Sequence, residues 1–154
     1  MYGIGEEVQE ISLEGFKVVS GDYFHGSYRP NVPLLTMWHT CMSFSKAAIQ
    51  ALNNCERVRI EINSQSRCVL VIPVTSADRD GVRWMKMGKT AESRKLDCKD
   101  LTMSLFRSWD WMPNHVYRTV GRLVTVDKKL MLLFDFSRPE EWEYKPRKTS
   151  EVNA

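Results

Sequence analysis

A chain of 154 residues with 43% hydrophobic content, five Trp, five Tyr and six Phe has enough apolar material for a real core, and its length suits one domain. A formal net charge of +3 permits contact with nucleic acid but falls short of the strong cationic footprint that would require it. No run of 18 apolar residues occurs, which excludes a membrane-spanning helix of ordinary length.

Near the N-terminus, Glu6, Glu7, Glu10 and Glu14 stand where a secretory signal would need positive charge and an apolar stretch, so the expected compartment is the cytoplasm. A short strand is expected over 16–19. The glycine-broken aromatic stretch 21–28, with Tyr23, Phe24 and Tyr28, predicts turns. Pro30 and Pro33 hold their neighbours extended and cannot sit inside a helix, so a new unit begins after Pro33.

Residues 34–44 read as extended, and Ser43 or Ser45 can cap a short helix over 46–52 that ends at Asn53-Asn54. Val58, Ile60 and Ile62 then alternate with Arg57, Arg59 and Glu61, the period of a half-buried strand. A polar turn at 63–66 and an apolar strand over 68–74 complete a hairpin.

Further on, 78–81 has turn chemistry, 82–87 and 94–98 read as short strands, and Gly88-Lys89-Thr90 as the turn between them. Asp100 is the expected cap of a helix over 101–109. Pro113-Asn114 breaks the chain, 116–126 reads as a strand, 127–129 as a turn and 130–136 as the returning strand. The charged residues from 137 onward, with Pro139, Pro146 and only Trp142 as an anchor, are expected to form a frayed tail outside a domain spanning 1–136.

The second half thus repeats the element order of the first. A shift of 57 residues superposes Cys41 on Cys98, Ala48 on Leu105, Ile49 on Phe106 and Leu52 on Trp109, with a slip of one or two residues near Pro113. Burial alone imposes similar spacing on any two helix–hairpin segments. Duplication has its own physical sense, since one such unit has too little core to stand alone and two can cover each other. The expected fold class is therefore α+β: one β-rich domain built from two tandem strand–helix–hairpin repeats, over 34–74 and 94–136, closed as a small barrel or opened as a saddle-like sheet.

In detail, Met42-Ser-Phe-Ser-Lys-Ala-Ala-Ile-Gln-Ala-Leu52, the strand 56–62, a turn and Cys68-Val-Leu-Val-Ile-Pro73 resemble the swapped-hairpin element of AbrB-type and MraZ-type bacterial transcription regulators. Ser45 stands where that family has proline, and Cys55-Glu56 where it has a glycine–aspartate pair. The likeness covers about 32 residues of the first copy and is weaker in the second. It implies DNA binding by a compact β-rich dimer or tandem.

Charge is segregated along the chain. Residues 79–99 hold Arg79, Arg83, Lys86, Lys89, Arg94, Lys95 and Lys99 against three acidic residues, whereas 1–35 is net negative. Paired as a ribbon, the basic segment could lie on phosphates with Trp84 among the cations, free to stack on an unpaired base; the same pattern fits a solvated hairpin with Trp84 packed inward. Arg57 and Arg59, with Arg118 and Arg122 on the counterpart strand, form a second basic set that duplication would relate by two-fold symmetry.

Four cysteines, Cys41, Cys55, Cys68 and Cys98, contain no CxxC pair and read as buried thiols of a reducing compartment. His39 and Cys41 share a strand face but lack a second ligand pair, so no metal is expected. His25, His39 and His115 occur in no nucleophile–base setting, and no glycine-rich phosphate loop is present; no enzymatic activity and no cofactor are expected. The leading expectation is a cytoplasmic bacterial DNA-binding or regulatory protein, monomeric or homodimeric. The alternative is an accessory protein-interaction module of a mobile-element or repair operon, using Tyr23, Phe24, Tyr28 and Trp38 as its partner surface.

Overall fold

Residues 8–20, 32–86 and 92–145 are described by the computed structural model. The extended segment after Pro33 divides into β1 (Leu34–Met37) and β2 (Cys41–Phe44), because the Trp38 N–H closes a turn on the Cys41 carbonyl at 2.9 Å. Helix α1 (Lys46–Ala51) starts at once. Its cap is Ser45, whose Oγ accepts from the Ala48 N–H at 3.2 Å and from the Leu34 N–H at 2.9 Å, tying the helix start to the first strand. Asn53 and Asn54, both at φ 58°, end it in the left-handed region that asparagine tolerates.

The alternating segment forms β3 (Arg57–Asn63) and the apolar return β4 (Cys68–Val74), paired along their whole length. Next come β5 (Val82–Arg83), β6 (Lys95–Asp97), α2 (Lys99–Ser108), β7 (His115–Val126), β8 (Lys129–Asp135) and β9 (Glu140–Glu143). All pairings are antiparallel, and the strand order is β5-β3-β4-β8-β7-β1-β2-β6, with β9 on the first half of β7. The curled β-rich sheet and its two helices make an α+β architecture. The two ends of the order meet at the Met85–Ser93 bridge, where the Lys86 N–H also donates to the Glu92 carbonyl at 2.8 Å.

Inside the curl lies one core cluster drawn from both helices and from β1 to β4 and β6 to β8, including Leu35, Phe44, Ile49, Val69, Phe106 and Phe134. Two buried indoles satisfy their N–H groups on connecting carbonyls: Trp84 on Cys55 at 2.7 Å and Trp109 on Ser64 at 3.0 Å. Trp111 stacks on Tyr117 with centroids 4.0 Å apart, and Phe106 meets both rings edge-on. Thr102, fully buried, donates from Oγ1 to the His39 carbonyl at 2.8 Å and so fixes α2 on the β1–β2 turn.

Several sequence expectations are corrected. Residues 16–19 form no strand; no sheet edge pairs with them, and Phe16 and Val18 are 70% and 97% exposed. Helix α2 is capped by Cys98 and not by Asp100, since the β2–β6 pairing ends at Asp97 and the helix begins immediately; Asp100 sits in the first turn, where its charge suits the helix dipole. The segment after Ser137 contributes β9, because Glu140 pairs with Arg118 at 2.6 Å and Glu141 accepts from the Tyr117 hydroxyl at 3.0 Å across the β7 edge. Of the cysteines only Cys41 is buried, the other three being half-buried free thiols. The 57-residue shift aligns the helix C-caps, Leu52 and Trp109, but Cys41 lies in β2 while Cys98 is an N-cap, since α1 has 6 residues and α2 has 10. The expected turn at 88–90 lies outside the described residues.

Two substitutions test this packing by urea denaturation. A Cβ on Gly121 would lie 2.5 Å from Cε1 of the buried Phe134 ring, so Gly121→Ala is expected to destabilise by about 1–3 kcal/mol. Ser45→Ala removes the acceptor of two N–H groups and is expected to cost about 1–2 kcal/mol.

Candidate nucleic-acid interface

The basic residues divide into neutralised and uncompensated ones. Arg59 is held by Asp78 at 2.6 Å and by Glu61 at 3.0 Å. Asp78 also accepts from the Asp80 N–H at 2.8 Å; that bond first, and the Arg59 guanidinium second, hold its carboxyl below the usual aspartate range. Arg118 pairs with Glu140 at 2.6 Å and lies over the Trp142 ring at 5.0 Å, with only 11% of its side chain exposed. Neither side chain is free to meet a phosphate without breaking an existing pair.

Arg79, Lys86, Arg94 and Arg122 are exposed and make no ion pair among the described residues. The first three lie at or beside the place where the ends of the sheet meet, here called the seam. Lys95 joins them from β6, resting over the Trp38 ring at 4.9 Å. Arg122 lies elsewhere: β4 and β8 separate β7 from β3, roughly 14 Å at ordinary strand spacing. Lys89 falls outside the described residues.

Arg57 and Arg83 face each other across the β3–β5 pair. Directly opposed like charges disfavour the pairing. Each is partly relieved, Arg57 by donating from Nη2 to the Gly81 carbonyl at 2.8 Å and Arg83 by Glu56 at 3.4 Å. Arg57 Nε is buried and has no hydrogen-bond partner among the described residues. The two arginines border a cleft of about 520 Å³ whose other wall includes Arg94, Leu96 and the start of α2.

Trp84 does not belong to the cationic surface. It is fully buried against Phe44, with centroids 5.2 Å apart, so stacking on a base is ruled out for this side chain. Cys98, on the cleft wall, keeps its proton at neutral pH: burial, then the neighbouring Cys41 and Asp97, push its pKa up to about 11. Sequence reasoning missed the cleft, because its cationic wall joins positions 26 residues apart on β3 and β5. It also missed the carboxylates that neutralise Arg59 and Arg118, of which Glu140 was assigned to the tail.

Tyr23, Phe24 and Tyr28, expected as a partner surface, lie outside the described residues, and Trp38 is half-buried under Lys95. No helix among the described residues is long and apolar enough to cross a membrane. Compared with known proteins, the chain matches no family model, no curated protein and no solved structure.

Two carboxylates give a pH test. Asp78 and Asp135, the latter accepting from the Ser137 N–H at 2.9 Å, both have lowered pKa values. Their stabilisation is complete above the unfolded aspartate value of 3.8 and disappears as pH falls through the lower folded values. Chemical denaturation between pH 5 and pH 2 should show stability falling on acidification, and Asp78→Asn should flatten part of that slope.

Proposed function

We propose that this protein is a DNA-binding regulator that holds backbone phosphates on the cationic surface of the seam, through Arg79, Arg83, Lys86, Arg94 and Lys95. The observation that carries the reading is the concentration there of Arg79, Lys86, Arg94 and Lys95 without carboxylate partners among the described residues, beside an Arg83 paired with Glu56 only at 3.4 Å, while Arg59 and Arg118 are neutralised at 2.6 Å. Phosphate contacts need mobile, uncompensated cations on a convex or ribbon-like surface, and release of counterions drives such binding.

Reciprocal strand pairing supports a duplicated, swapped-hairpin architecture for the same protein. With the second half begun at β5 (Val82) rather than at 94, as β1-β2-α1-β3-β4 and β5-β6-α2-β7-β8, the two halves pair β2 with β6 and β4 with β8. The leading strand of each half also pairs with the first strand after the other's helix, β1 with β7 and β5 with β3. Such reciprocity is the property of an isologous two-fold contact, here within one chain. The Met85–Ser93 bridge favours a small barrel over a saddle. The AbrB-like and MraZ-like resemblance would then extend to a tandem pseudo-dimer, acting as a bacterial cytoplasmic regulator.

A protein-interaction role is the second reading, favoured by the exposed apolar side chains Ile11, Leu13 and Phe16 in 8–20. Fluorescence polarisation with a mixed-sequence duplex at two salt concentrations separates the two. DNA binding predicts an affinity that falls steeply with salt, and the Arg79→Gln/Arg94→Gln double variant should lower the salt slope by about 2. No binding below about 10 µM at low salt contradicts the DNA reading, at an affinity of roughly −7 kcal/mol.

A further inference from the structure

The cleft at the seam has a chemistry distinct from that of a phosphate-tracking surface, and we infer that it is a binding site for a small amphipathic organic monoanion, an apolar body bearing one carboxylate or phosphodiester. Its volume of about 520 Å³ is that of a small-molecule site. The lining separates into an apolar part, Met42, Ile60, Leu96 and Leu101, and a cationic part, Arg57, Arg83 and Arg94. Asp80 and Asp97 also line it, so the lining itself carries three guanidinium groups against two carboxylates, a single formal positive charge, with Glu56 reaching Arg83 from outside the lining at 3.4 Å. That balance matches one negative charge and disfavours a polyanion.

Two further observations place the anionic group at the arginine side. Arg57 and Arg83 are opposed across the β3–β5 pair, an arrangement that a bound anion between them turns from repulsive to attractive. Arg57 Nε is buried without an acceptor, although such donors in folded proteins are nearly always satisfied. The ligand's apolar body would cover Leu96 and Leu101, and its charged end would reach the guanidinium groups.

The site goes beyond the DNA reading and is tested without DNA. Thermal unfolding of the full chain is followed with increasing 4-phenylbutyrate, diphenyl phosphate, 4-phenylbutan-1-ol or sulfate. A saturable rise in Tm is expected with at least one of the two organic anions, half-maximal below about 1 mM, and at least tenfold weaker responses to the alcohol and to sulfate. Arg94→Gln, at an exposed position without an ion pair among the described residues, should keep the fold and weaken the response at least tenfold. Arg57→Gln should do the same. Arg79→Gln, outside the cleft lining, should leave the response to these anions unchanged while weakening DNA binding, so loss of one activity does not imply loss of the other. Absence of saturation with both organic anions overturns the proposal. So does an equal response to the alcohol, or an undiminished response in folded Arg94→Gln.

Discussion

The antiparallel contact of β4 with β8, Cys68–Val71 against Leu132–Asp135, is the pairing on which the rest of the molecule depends. Each hairpin alone would expose a row of unpaired backbone groups and an apolar face. Joined, they place Val69, Val71, Leu132 and Phe134 on one inner surface, all fully buried, in the same core cluster as Ile49 of α1 and Phe106 of α2. The shorter β2–β6 pairing then brings the start of α2 beside β1 and β2, where Thr102 reaches the His39 carbonyl. Because β5 and β6 terminate the strand order, the fold meets at a seam with only a narrow bridge. The cleft and the cationic surface both arise there.

At that seam the protein tolerates an arrangement that folding by itself does not favour. Arg57 and Arg83 oppose each other, and one guanidinium nitrogen is buried without an acceptor. Elsewhere the same residue type is carefully compensated, Arg59 by two carboxylates and Arg118 by a carboxylate and an indole. On the proposed reading, the contrast separates arginines that hold the fold from those placed to receive an anion. Local violations of otherwise consistent design are where functional sites are expected.

Legibility in the sequence followed locality. The alternation of Val58, Ile60 and Ile62, the Ser45 cap and the asparagine helix end are set by neighbours within a few residues, and each appears in the structure. What depended on partners far along the chain was hidden. Glu140 and Glu141 read as solvated tail charges until β9 meets β7. Asp100 looked like a cap because the end of β6 is fixed by its pairing with β2, which no local signal reports. The basic segment was visible as composition, but Trp84 turned inward because its ring fills the space beside Phe44 and its N–H has the Cys55 carbonyl. The cleft was invisible for the same reason: it requires the register that sets Arg57 opposite Arg83.

Backbone amide chemical-shift mapping with a mixed-sequence duplex tests the central claim most directly, that the seam is the nucleic-acid surface. The account predicts perturbations concentrated in 79–86 and 92–97, with the Arg118 to Glu140 contact and the rest of β9 unchanged. Shifts centred on β7 and β9 with a silent seam would contradict it, as would the absence of any perturbation at low salt.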